Sequence, residues 1–319
     1  VASPPNKPDP APGTTKVTPE YGNGIQSLEV SGLEASTPEE LQARLLEIFR
    51  SPRYRPPVLP RVAVELTELT RKPSASYDDV VQVLQKDPLI VAGVMSIAQS
   101  PLYAGRSPLQ SLKDAVQRLG INSLRDIVWQ VVAGMRLFDV KSFRDIMQRL
   151  QAHSMFMAYA ARTVATYAGV PAEHAFLCGL LHDVGISGTL IALAETEKDD
   201  VPIVSLLDAI DGMHEQAGGL MAKQWKLSPD IIAVIEQHHH FDPNRTGVPT
   251  LTAVLCVAEQ LADDLNFGIM DAARVALPFF DRHAPGRYLA ALKRLKLEDK
   301  QDELRSSAQE TAERLQALA

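Results

Sequence analysis

The sequence predicts an all-α fold arranged as two helical lobes. Three observations carry that prediction. Apolar residues recur at three- and four-residue spacing along most of the chain, and few segments show the period-two alternation of a half-buried strand. Hydrophobic residues make up 45% of the 319 residues but aromatics only 6%, so the interior falls to Leu, Val, Ile and Ala, which suit packed helices. The apolar runs are separated by helix-stopping and helix-starting residues: Pro73-Ser74, Asp87-Pro88, Gly105, Ser107-Pro108, Gly120, Gly169, Pro171, Gly212 and Ser228-Pro229. A chain of this length allows about one or two domains with a sizeable core.

Residues 1–36 are rich in Pro and Gly with few large apolar groups, so they bury too little surface to offset chain entropy and are expected to form a disordered tail. Thr37 then caps a helix, with Pro38 at its first position and Glu40 completing a capping box. Leu41, Leu45, Leu46 and Phe49 supply its apolar stripe. Pro52, Pro56, Pro57 and Pro60 interrupt the chain before Val62, Leu66 and Leu69 resume helical spacing. Further helices are expected over 61–71, 77–86, 88–99, 109–119, 122–138, 142–169, 172–193, 203–210, 213–226, 229–240, 249–265, 271–281 and 286–317. The N-terminal lobe is placed at 37–140 and the second lobe at 141–284. Residues 285–319 carry Leu289, Leu292, Leu295, Leu297, Leu304, Leu315 and Leu318 and read as an amphipathic C-terminal helix folded back on the core. No fixed-period repeat supports a solenoid.

The net charge of -7 offers no basic excess to neutralise phosphates along a duplex, so no DNA partner is expected. Cys178 and Cys256 are the only cysteines, and their apolar surroundings read as buried thiols rather than a disulfide or zinc knuckle. Charges interrupt the apolar stretches short of the ~20 residues that span a bilayer, and no leader opens the chain, which predicts a cytoplasmic protein without a membrane span.

Chemistry concentrates in Leu177-Cys178-Gly179-Leu180-Leu181-His182-Asp183-Val184-Gly185. Burying an imidazole and a carboxylate without partners costs several kcal/mol, and the usual remedies are a metal ion or a hydrogen-bond network. His182 and Asp183 lie about 100° apart on a helix, so both can lean toward one ion. His153, His214, His238 and His239 also fall at helical positions with apolar neighbours. Each alone admits a plainer reading. His153 could be a core histidine, His214 a first-turn histidine beside Asp211-Gly212, and one of His238, His239 and His240 a cap on a helix C-terminus. Three in a row exceed what capping needs.

Leu180-Leu181-His182-Asp183-Val184-Gly185 resembles the signature of the HD superfamily of metal-dependent phosphohydrolases. The segment from Pro57 to Val140 resembles the N-terminal half of the HD-related output domain, HDOD. Its marks are Leu59-Pro60, Lys86-Asp87-Pro88, Ala98-Gln99-Ser100-Pro101-Leu102-Tyr103, Ser111-Leu112-Lys113-Asp114-Ala115-Val116 and Leu119-Gly120. The HDOD resemblance covers about residues 51 to 267 and implies that 141–284 is an HD-like lobe. It also implies a metal-ligand set of His153, His182, Asp183, His214, His238, His239 and Glu259, with His240 as an extra. Glu259 stands where HD enzymes carry an Asp, one methylene longer. Ile186 replaces the Lys that often follows the doublet's Gly, removing a cation that would contact phosphate. Gly247-Val248-Pro249 only echoes the Gly-Tyr-Pro loop of cyclic dinucleotide phosphodiesterases, which disfavours that activity.

Two functional classes stay open. The resemblance implies a bacterial signal-transduction protein in which the HDOD domain is a non-catalytic scaffold, sensing a protein partner or a nucleotide-like small ligand. The alternative is a metal-dependent phosphohydrolase that uses iron, manganese or zinc, with Asp183 bridging the ions or orienting water. The sequence offers no Lys/Arg cluster near the doublet, and Lys223 and Lys226 are candidates to serve a phosphate only by proximity in sequence.

Overall fold

A computed structural model of the chain describes residues 38–51, 54, 57, 60–70, 72–100, 102–103, 109, 111–133, 143–196, 203–243, 249–269 and 285–316. The expected tail, the expected helix at 271–281 and most of Gly247-Val248-Pro249 lie outside these residues. The described residues form fourteen helices and no strand: α1 Pro38–Arg50, α2 Arg61–Thr70, α3 Tyr77–Leu84, α4 Pro88–Gln99, α5 Leu112–Leu119, α6 Ile121–Ala133, α7 Arg144–Ala168, α8 Ala172–Leu181, α9 Val184–Thr196, α10 Ile203–Gln224, α11 Pro229–Ile235, α12 Thr250–Asp264, α13 Pro285–Leu295 and α14 Gln301–Gln316.

Local chemistry sets most boundaries. Ser76 and Asp79 form a reciprocal capping box at the start of α3. Asp87 accepts from the backbone N–H groups of Leu89 and Ile90, with Pro88 in the first turn of α4. Ser111 caps α5, and Gly120 ends it at φ 76°. Four other helices close on a residue of positive φ: Gly169, Lys226, Asn266 and Lys296. In each the next N–H reaches the carbonyl five residues back, as Val170 to Ala165 (3.0 Å) and Phe267 to Ala262 (2.8 Å), the bond of a Schellman turn.

α2 to α6 pack on one another, anchored by buried Trp129, whose indole N–H donates to Thr67 Oγ1 at 3.0 Å. α7 is the central rod of the other half and packs against α8, α12 and α14. α1, read in sequence as part of the N-terminal lobe, packs instead on α10 and α9, with the Phe49 ring 3.3 Å from where a Cβ on Gly188 would sit. The C-terminal residues fold back on the core through α12 and α7. They form two helices rather than one, because the Schellman turn at Lys296 breaks the run.

Three further expectations are corrected. The run 172–193 is not one helix: it divides at His182-Asp183 into α8 and α9. Gly212 does not separate two helices, since α10 passes through it and places His214 mid-helix rather than in a first turn. α11 stops at Ile235, so the three histidines sit in the turn beyond it. The stretch Ala172–Ala194 is also long and apolar enough to cross a membrane, but 94% of its window is buried inside the fold. It is a core segment, packed on α7 and α10.

Candidate metal centre

The seven expected ligands converge from five places in the chain. α7 brings His153, the α8–α9 junction brings His182 and Asp183, α10 brings His214, the turn after α11 brings His238 and His239, and α12 brings Glu259. They form two groups that share Asp183: His153, His182, Asp183 and Glu259, and Asp183, His214, His238 and His239, with ligand atoms in each group within 4.8 Å of one another. Asp183 divides its carboxylate between them. Oδ2 lies 3.2 Å from His182 Nε2 and 3.6 Å from His153 Nε2. Oδ1 lies 3.1 Å from His238 Nε2 and 3.6 Å from His214 Nε2. The extra methylene of Glu259 brings Oε1 within 2.8 Å of His182 Nε2 and 3.6 Å of His153 Nε2.

Two glycines permit this convergence. A Cβ on Gly179 would lie 2.4 Å from the Met157 carbonyl oxygen, and one on Gly185 would lie 1.9 Å from the His214 carbonyl oxygen. The bare backbone at these positions lets α8 close on α7 near His153, and α9 close on α10 at His214.

Hydrogen bonds fix the imidazole tautomers. Nδ1 of His182 donates to the Gly179 carbonyl (2.8 Å), that of His214 to Asp211 (2.6 Å) and that of His238 to Ile235 (2.8 Å). In each case the acceptor lies three residues back. His153 Nδ1 donates to the Phe267 carbonyl at 2.9 Å, delivered by the Schellman turn at Asn266 and by stacking of Phe267 on Phe156 at 4.6 Å. A carbonyl only accepts, so each Nδ1 carries the hydrogen and each neutral ring turns a bare Nε2 lone pair inward. His182 thereby also occupies the Gly179 carbonyl that a continuous helix would use for the Asp183 N–H.

Two pairs of such lone pairs face each other, His153 Nε2 to His182 Nε2 at 3.2 Å and His214 Nε2 to His238 Nε2 at 3.3 Å. Buried facing lone pairs beside carboxylates call for positive charge between them. Without an ion, protons must serve. Burial alone would lower the His182 pKa, but Asp183 and Glu259 hold it well above the imidazole value, and Glu259 raises His153 against the same burial. Burial would raise Asp183 and Glu259, yet the surrounding imidazoles hold both well below the carboxylate range. The residues therefore fit divalent cations. Mixed imidazole and carboxylate donors suit iron, manganese or zinc.

A cavity of ≈ 80 Å³ opens onto His153, Asp183, His214, His239 and Glu259. Its walls are Ile146, Ile186, Leu207, Ile210 and Ile269, with Asp211 and Asp263. No Lys or Arg lines it among the described residues. Lys223 is engaged instead with Glu236 at 2.5 Å. His240 turns outward, 60% exposed, to Glu215 at 3.0 Å. Sequence reasoning missed Glu215 and Arg287, which hold the backbone of the histidine turn, and the Phe267 carbonyl. None of these carries a sequence signal, because backbone partners and long-range contacts leave no local periodicity.

Comparison with known proteins matches residues 56–241 to the HDOD domain model. Among curated proteins, an uncharacterised protein of Treponema pallidum is 26% identical over 195 residues, which cover 58% of this chain and 37% of that protein. A Ribonuclease Y of Dehalococcoides mccartyi is 24% identical over 135 residues, covering 42% of this chain and 21% of the enzyme. The chain thus matches well under half the length of these relatives. Among solved structures, an HDOD domain protein of Geobacter sulfurreducens superposes with a TM-score of 0.54 at 22% identity, covering 85% of this chain and 99% of that one. A Shewanella amazonensis protein named as a metal-dependent phosphohydrolase gives 0.54 at 19% identity, with coverage of 85% and 99%. A Marinobacter aquaeolei protein named for signal transduction gives 0.51 at 19%, with coverage of 86% and 66%. At these identities the likeness is one of fold. The family match spans more than half of the sequence, and the chain belongs to the HDOD domain family.

Proposed function

We propose that this chain is a signal-transduction protein of the HDOD type whose HD half holds two divalent cations and hydrolyses a phosphoester. The observation that carries the reading is the division of Asp183 between two groups of inward Nε2 lone pairs. The cavity supports hydrolysis over a purely structural metal site, because a structural site is closed by its ligands whereas these ligands border open space. Bound cations would supply Lewis acidity for attack of water on phosphorus. Asp183 would hold both ions at a fixed separation, and Glu259 and His239, at the cavity edge, would orient what enters. A protein partner in a signalling pathway, or a nucleotide-like ligand, would act on this centre from outside.

The test is elemental analysis of protein purified without chelator or nickel affinity, followed by turnover of bis-p-nitrophenyl phosphate and p-nitrophenyl phosphate after loading with iron, manganese or zinc. Near two ions per chain, with turnover lost in Asp183→Ala, is the expected result; no bound metal in either protein would sink the reading. A second reading, a metal-holding docking module without turnover, is favoured by the absence of Lys and Arg from the described cavity lining. It predicts two bound ions and no hydrolysis of either substrate.

A further inference from the structure

The turn that carries His238 and His239 leaves the helix: Gln237 and His240 donate to carbonyls three residues back, while the His239 N–H takes a side-chain acceptor. Glu215, one residue after His214 on α10, accepts the His239 backbone N–H on Oε1 at 3.0 Å. The same oxygen lies 3.7 Å from His238 Nδ1, and Oε2 lies 3.0 Å from His240 Nε2. On the other side of that residue, Arg287 of α13 donates from Nη2 to the His239 carbonyl at 2.5 Å. His239 is thus held at both its N–H and its C=O by charged side chains of two different helices. Its ring packs 4.1 Å from the His238 ring and 5.1 Å from the His214 ring.

We propose that Glu215 and Arg287 are positioning residues that clamp the His239 backbone and so present His238 and His239 to the ion-binding group shared with His214 and Asp183. The proposal rests on the two-metal reading above. Charge-assisted hydrogen bonds of this kind are about twice as strong as neutral ones, and partners that orient metal ligands typically govern metal affinity. Glu215 ties the turn to the helix that supplies His214, so three imidazoles move as one body. Arg287 lies beyond the matched 56–241 segment, as does Glu259. Helices outside the matched segment thus supply Glu259 to the first group and the Arg287 clamp to the second. His153 and His182 are held instead by the Phe267 and Gly179 carbonyls, so their group serves as an internal comparison.

The experiment titrates manganese into chelator-treated full-length protein, with bound metal counted by dialysis and elemental analysis and ion–ion coupling read by electron paramagnetic resonance. The expected wild-type result is two coupled ions. Glu215→Ala and Arg287→Ala should weaken one ion by about 10–100-fold, leave the other unchanged and convert the spectrum to that of an isolated ion. Glu215→Gln, which keeps the acceptor, should lose less than Glu215→Ala, and Arg287→Lys less than Arg287→Ala. Wild-type affinity for both ions in the alanine variants, or equal weakening of both ions, overturns the clamp. Should Glu215→Ala fail to fold by circular dichroism, Arg287→Ala carries the test. If the wild type binds none of manganese, iron or zinc, the two-metal reading falls, and the clamp is judged by hydrogen exchange of the peptide covering 236–241. Faster exchange in both alanine variants supports it, and unchanged exchange overturns it.

Discussion

Individual side chains here have roles that differ sharply with a single bond. Asp183 is shared between both ligand groups while Glu259 serves one, so Asp183→Ala is expected to abolish both ions and Glu259→Ala only one, as counted by elemental analysis. The pH dependence follows from the metal-free charges. Asp183 and Glu259 are depressed by their imidazole neighbours against burial, so their stabilisation is present above the ordinary carboxylate range and lost as pH falls through their folded values. His182 is raised against burial by Asp183 and Glu259, so its stabilisation is complete below the unfolded imidazole value and lost as pH rises through its folded value. Cations replace these protons. The melting-temperature difference between metal-loaded and metal-free protein should therefore widen from about pH 6 to about pH 9, and a constant difference would contradict the assignment. Burial pushes the Cys178 thiol up to about 12 and that of Cys256 to about 11. Neither should react with a thiol reagent at about pH 8 until denaturant opens the fold.

At the scale of elements, the spacing between helices decides whether the ligands meet. Gly185 sits where α9 crosses α10, and its missing Cβ is what the His214 carbonyl occupies. Gly185→Ala should push the two helices apart, costing about 1–3 kcal/mol as overpacking does and reducing bound metal in the same protein. Denaturant melts paired with metal analysis check both effects; a stable variant with full metal would show that the helices yield without disturbing the site. The sequence made the helices legible because caps and apolar spacing are local. It misplaced the ends at His182 and Ile235, where neither Pro nor a left-handed Gly marks a stop. It split α10 at Gly212 because helix propensity counts against Gly. Tertiary packing of α10 on α1 and α9 overrides that cost.

Across the whole molecule, the N-terminal helices join the HD half through a mostly buried ion-pair network. Arg162 of α7 forms a bidentate pair with Asp126 of α6, and Arg125 of α6 reaches Glu173 of α8 at 2.8 Å. Arg162 also lies over the Phe176 ring at 4.0 Å. Glu173 begins the helix whose far end carries His182, so this junction and the metal centre sit at opposite ends of α8. Removing one partner of a buried pair strands the other charge. Arg162→Ala should cost about 3 kcal/mol in chemical denaturation, and adding Asp126→Ala should recover part of the loss. A loss under about 0.5 kcal/mol would place the network with ordinary exposed pairs.

The sequence by itself determined the all-α class and carried the family resemblance that named seven candidate ligands, because residue type and helical periodicity are local properties. It also contained the tautomers of His182, His214 and His238, since each ring binds a carbonyl three residues away on its own segment. Only the tertiary structure decided that the seven form two groups sharing Asp183, that α1 rests on α10, and that Glu215 and Arg287 hold the histidine turn. Those facts depend on contacts between residues far apart in the chain, 48 positions between Arg287 and His239 and more between Phe49 and Gly188. Such contacts are set by how closely helices approach, which no local pattern records.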